Sequence, residues 1–166
     1  MSKEAKKLAA ELPIADLHMH PHSSVSPAEA RDRMDKNVVR WAGAGARGRA
    51  VWQAYAQELG DRFIAFVGQA ELVGILVDRT GGEVIRIEGG IEAIEDANNP
   101  VIQALLREAE EDLKAGRIKG IGELFANNSH SSKYPAFRNK FRADAPSMRA
   151  LYQLVAKYGG FLTFHM

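Results

Sequence analysis

The chain has 166 residues, 46% of them hydrophobic and 26% charged, a balance that fits one soluble globular domain over residues 1–166 with a substantial core. A formal net charge of +1 without a basic stripe argues against nucleic acid as a partner. The absence of cysteine removes disulfides, thiolate metal sites and a cysteine nucleophile, leaving histidine and carboxylate as the strong ligands. No apolar stretch reaches signal-peptide or membrane length, so the simplest expectation is a cytoplasmic protein with no membrane partner.

In chain order, Ile14 to Leu17 reads as a buried strand that ends in His18-Met19-His20. Side chains two apart on a strand share a face, roughly 7 Å apart along the chain, so the two imidazoles form a pincer suited to a metal ion. The plainer alternative is a pair of polar residues at an exposed strand end. Ser26-Pro27-Ala28-Glu29 combines an N-cap, a first-turn proline and a capping-box glutamate, which predicts a helix through Met34. A strand over Val38 to Ala42 follows, then a helix over Arg49 to Leu59 with Val51, Trp52, Tyr55 and Leu59 on one face. Gly60 ends that helix before a strand at Phe63 to Val67.

Residues 72–97, with Gly81-Gly82 and Gly89-Gly90, read as an inserted loop region holding one brief helix. Asn99-Pro100 then starts a helix closed by Gly116, a strand runs from Arg117 to Phe125, and a polar connection reaches Asp144. A helix with Met148, Leu151, Leu154, Val155 and Tyr158 on one face ends at Gly159-Gly160, and Phe161 to Met166 is the fifth strand.

Strand, helix, strand in repetition predicts right-handed crossovers and a parallel α/β sheet, either doubly wound or curling toward a barrel. Four of the five strands finish in ligand or acid/base residues: His18 and His20, Glu71 just past the third, Glu123 in the fourth and His165 in the fifth. Parallel strands would gather them at one rim, where α/β folds place their chemistry. Each also has an ordinary structural account. Glu71 can cap a loop, Glu123 can pair with Lys119 or an arginine, and His165 can be a satisfied core residue. Asp16 shares the parity of both histidines and is either an orienting carboxylate or a buried structural one. His22 and His130 are weaker candidates, each read more simply as a solvated loop histidine.

His18-Met19-His20 closing the first strand, Gly120-Ile-Gly-Glu-Leu124 in the fourth and Phe161-Leu-Thr-Phe-His165 in the fifth resemble the amidohydrolase superfamily of metal-dependent TIM-barrel hydrolases. The likeness spans residues 13–166. It implies a parallel (β/α) barrel of TIM type with about five of eight strands present, an incomplete barrel, since a whole one needs roughly 250 residues. It also implies that His18, His20 and His165 bind a divalent metal ion, zinc in the first instance and manganese as an alternative. Glu123 would be a ligand or the partner of the attacking water. Asp16, Glu71, His22 and His130 would lie near the ligands or the substrate. A sixth-strand histidine and an eighth-strand aspartate of the family are absent. The family's fourth strand often supplies a glutamate or a carbamylated lysine; Glu123 fits the former, while Lys119 shares its face by strand parity but lies four residues deeper and takes no bridging role.

A metal ion held by neutral imidazoles lowers the pKa of bound water to about 7, so the expected activity is hydrolysis of a small-molecule amide, ester or lactone. Decarboxylases and deoxyribonucleases share the same motifs. A rival class comes from Gly43-Ala-Gly-Ala-Arg-Gly48, a G-x-G-x-x-G between strand and helix, which would make the chain an NAD-type dinucleotide-binding domain. A non-catalytic half-barrel is the third reading. An open barrel edge leads to an expectation of self-association.

Overall fold

The computed structural model describes residues 2–21, 25–45, 49–68, 90–124 and 142–164. The chain divides into two units, Met1–Ala65 and Phe66–Met166. Five strands follow one another in the sheet in chain order, β1-β2-β3-β4-β5, within an α/β architecture. Among the described residues, no helix is long and apolar enough to cross a membrane.

The first unit opens with α1 (Lys3–Glu11), a helix outside the expected elements although Ala5, Leu8 and Leu12 recur at helical spacing; Ser2 Oγ caps it by accepting the Ala5 N–H at 3.1 Å. β1 (Ile14–Asp16) lies parallel to β2 (Val39–Gly45), pairing Ala15 with Trp41 and Asp16 with Ala42. The expected burial of Ile14 to Leu17 is not found: Ile14 is 46% and Leu17 54% exposed. β1 is the first strand of the sheet, and among the described residues its main contact is β2, on one side.

The crossover helix α2 (Pro27–Lys36) starts where expected, with Ser26 Oγ accepting the Glu29 N–H at 3.1 Å, and buries Ala30 and Met34. It packs against α3 (Arg49–Leu59), which buries Trp52, Tyr55 and Leu59, and an Arg31–Glu58 ion pair joins the two. A 3-10 turn, Gly60–Arg62, leads into β3 (Phe63–Gly68), and Gly60 adopts the left-handed conformation (φ 57°) that glycine tolerates best. Arg62 donates to the Val39 and Arg40 carbonyls at 3.0 and 3.2 Å and pairs with Asp35 at 2.8 Å, fastening the start of β2.

In the second unit, α4 (Gly90–Glu95) precedes α5 (Pro100–Lys114), whose N-cap Asn99 accepts the Val101 N–H at 2.9 Å. β4 (Gly120–Leu124) pairs in parallel with both β3 and β5 (Phe161–Phe164), and α6 (Pro146–Lys157) makes the crossover between β4 and β5. With strands on both sides, β4 is buried along its whole length. The core of this unit includes Ile102, Leu105 and Ala109 of α5 with Met148 and Leu151 of α6. Asp112, 1% exposed, accepts from Arg117 Nε at 2.6 Å, which compensates the burial of its carboxylate. Glu110 accepts from Lys157 Nζ at 2.7 Å and from the Tyr158 hydroxyl at 2.9 Å, tying α5 to the end of α6.

Two predictions follow from this packing. A Cβ at Gly120 would lie 2.6 Å from the Phe161 carbonyl oxygen and 2.8 Å from its ring, with backbone unable to yield easily. Gly120→Ala is therefore expected to cost about 1–3 kcal/mol, read as a lower urea midpoint at unchanged slope. The hydrogen bonds from Lys157 and then Tyr158 hold the Glu110 carboxyl below its ordinary value of 4.5. A lowered folded-state pKa stabilises above the unfolded value and stops doing so as the pH falls through the folded one. The stability gap between wild type and Glu110→Gln should accordingly be present at neutral pH and close on acidification, in parallel denaturation series.

Candidate metal centre

In the first unit the site begins where β1 ends. Asp16 Oδ1 accepts the backbone N–H of His18 at 3.1 Å, a side-chain-closed turn of the kind aspartate favours. One residue on, the Met19 N–H donates to the Gly43 carbonyl at 2.9 Å, so the ladder with β2 continues past the last residue of β1. His18 and His20 therefore flank an anchored residue. Their ring centroids are 4.7 Å apart with the planes tilted by 49°, and both residues are exposed, which leaves them accessible to an ion from solvent.

Of the two readings of Asp16, the buried structural carboxylate is ruled out by its exposure. The contact that the structure shows for the carboxylate is the hydrogen bond it accepts from the His18 main-chain N–H. The anchoring by Met19 and Gly43 carried no signal in residue types, since both partners are backbone groups.

In the second unit, Glu123 sits at the penultimate position of β4 and is 6% exposed, between buried Gly122 and Leu124. Parallel pairing of β4 with β3 and β5 places it toward the carboxyl end of its strand, the end at which parallel α/β sheets carry their reactive groups. Lys119 precedes the strand and is exposed, an environment unlike that of Glu123.

Imidazole, as in His18 and His20, and carboxylate, as in Glu123, are ligand types that suit zinc or a neighbouring divalent ion. The two histidines belong to the first unit and the glutamate to the second. His165, Glu71, His22 and His130 lie outside the described residues. The glycine motif is divided: Gly43, Ala44 and Gly45 are buried residues of β2, which runs three residues further than the sequence indicates, and residues 46–48 lie outside the described ones.

No family model, curated protein or solved structure matches this chain.

The turn at Asp16 yields a direct test. Asp16→Ala removes the acceptor for the His18 N–H and is expected to cost about 0.5–1.5 kcal/mol, whereas Asp16→Asn keeps a side-chain oxygen and should lose less. Histidine ring NMR resonances should shift in the alanine variant and stay near the wild-type positions in the asparagine one.

Proposed function

We propose that the chain is a metal-dependent hydrolase of small molecules, built as part of a TIM-type barrel and akin to the amidohydrolase superfamily that its motifs resemble. The observation that carries this reading is the imidazole pair, with ring centroids 4.7 Å apart at the end of a parallel strand and its backbone tied at both Asp16 and Met19. Paired imidazoles held by the backbone supply two nitrogen ligands without the entropic cost of ordering a loop.

In this reading His18, His20 and Glu123 hold the divalent ion, zinc or manganese, with His165 as a further ligand. When bound, such an ion acts as a Lewis acid and lowers the pKa of its water into the neutral range. Asp16 keeps the His18 main chain in place. Glu123, in its buried position, either completes the ligand set or takes a proton from the attacking water onto a carboxylate oxygen and passes it to the departing nitrogen or oxygen. Cleavage of an amide, ester or lactone is the chemistry that these roles add up to. The dinucleotide alternative has less support, because Gly43 and Gly45 are strand residues and the Gly43 carbonyl already accepts from Met19.

Elemental analysis of the purified chain tests the proposal. Zinc or manganese should co-purify with the wild type, and the content should fall to background in the double variant His18→Ala/His20→Ala. Equal metal content in the two proteins would overturn it.

A further inference from the structure

A cleft of about 340 Å³ opens beside His20 entirely within the first unit, between β1, β2 and the helices α2 and α3. Its volume falls in the range of roughly 300–1,000 Å³ that small-molecule pockets occupy.

Apart from His20, the polar groups along its wall are engaged with one another or with close neighbours. The Tyr55 hydroxyl donates to the Val25 carbonyl at 2.9 Å and the Asn37 side-chain amide to the Arg33 carbonyl at 2.7 Å. The Arg33 guanidinium pairs with Glu29 at 2.7 Å, and the Asp16 carboxylate accepts from the His18 N–H at 3.1 Å. The remaining wall is apolar: Met19, Val25, Ala30, Met34, Val39 and Ala42. The single full charges on the wall, Asp16 and Arg33, are of opposite sign, so the cleft carries no net charge to attract an ion. A charged group entering it would lose its hydration against methyl and methylene surface, and its attraction to one of these two charges would be offset by repulsion from the other.

We infer that this cleft takes an uncharged, apolar group, and that the substrate is an amide, ester or lactone with a cyclic or branched aliphatic substituent next to the bond that reacts. An apolar cavity of about 150 Å³ accommodates benzene, so the volume here suits one ring with space for a short chain. Placing that group on a substrate rests on the hydrolase reading, since His20 both lines the cleft and belongs to the imidazole pair. Binding of an apolar group in the cleft does not depend on metal.

The test uses the full chain with ¹³C-methyl-labelled methionine in a metal-free, chelator-containing buffer, titrated with cyclohexanol, cyclohexylamine and cyclohexanecarboxylate. Met19 and Met34 line the cleft, while Met148, fully buried in the second unit, serves as the internal control. Cyclohexanol is expected to move the Met19 and Met34 methyl resonances saturably and leave Met148 in place. The charged probes should bind about tenfold more weakly or worse. Ala42→Leu fills the cleft from the sheet side and should weaken cyclohexanol about tenfold or more; Ala30→Leu fills it from α2 and replaces the first variant if that one fails to fold.

Unmoved Met19 and Met34 resonances, equal binding of the three probes, or undiminished binding in the folded filling variant would each overturn the inference. Methyl shifts without metal in the elemental analysis would leave the cleft established and remove the hydrolase reading. Metal without methyl shifts would do the reverse.

Discussion

Parallel pairing is the constraint on which the rest of this structure depends. Two strands that run the same way cannot be joined by a tight turn, so the chain must return to the starting end of the sheet between them. Here α2 makes that return between β1 and β2, and α6 makes it between β4 and β5. The consequence for chemistry is direct. Whatever follows a strand emerges at its carboxyl end, and the residues with ligand character sit there: His18 and His20 beyond β1, Glu123 near the end of β4.

Within their separate units, Glu123 and the histidine pair are held by different forces. Glu123 is fixed by burial, in a strand flanked on both sides and packed so closely on β5 that Gly120 has no room for a methyl group. The histidine pair stands on an exposed three-residue strand, where apolar burial contributes little. Its position rests on two hydrogen bonds, Asp16 with the His18 N–H and Met19 with the Gly43 carbonyl, each worth of order 1 kcal/mol net.

Much of the local structure was legible in residue types. Ser26 and Asn99 cap their helices as their chemistry dictates, and α3 spans Arg49 to Leu59, the residues its apolar spacing marks out. Gly60 turns the chain at positive φ between α3 and β3. The exceptions share a cause. α1 has Ala5, Leu8 and Leu12 at helical spacing, yet Leu8 and Leu12 stay about half exposed, so it lies outside the buried elements that apolar patterning marks. β2 runs on through Gly43, Ala44 and Gly45 because its neighbours bury those residues, while glycine spacing alone points to a loop. Apolar Ile14 and Leu17 indicate a buried strand, yet burial depends on what lies across the strand, and β1 is at the edge.

The sequence by itself determined α2, α3, α5 and α6, the caps at Ser26 and Asn99, the alternation that requires a parallel sheet, and the presence of paired imidazoles, since all of these are set by neighbours a few residues away. Tertiary structure alone decided that β1 would be exposed, that Asp16 would hold the His18 backbone, that Glu123 would be buried and that an apolar cleft would open beside His20. The physical reason is that solvent exclusion depends on which surfaces come to face each other, and segments far apart in the chain supply those surfaces.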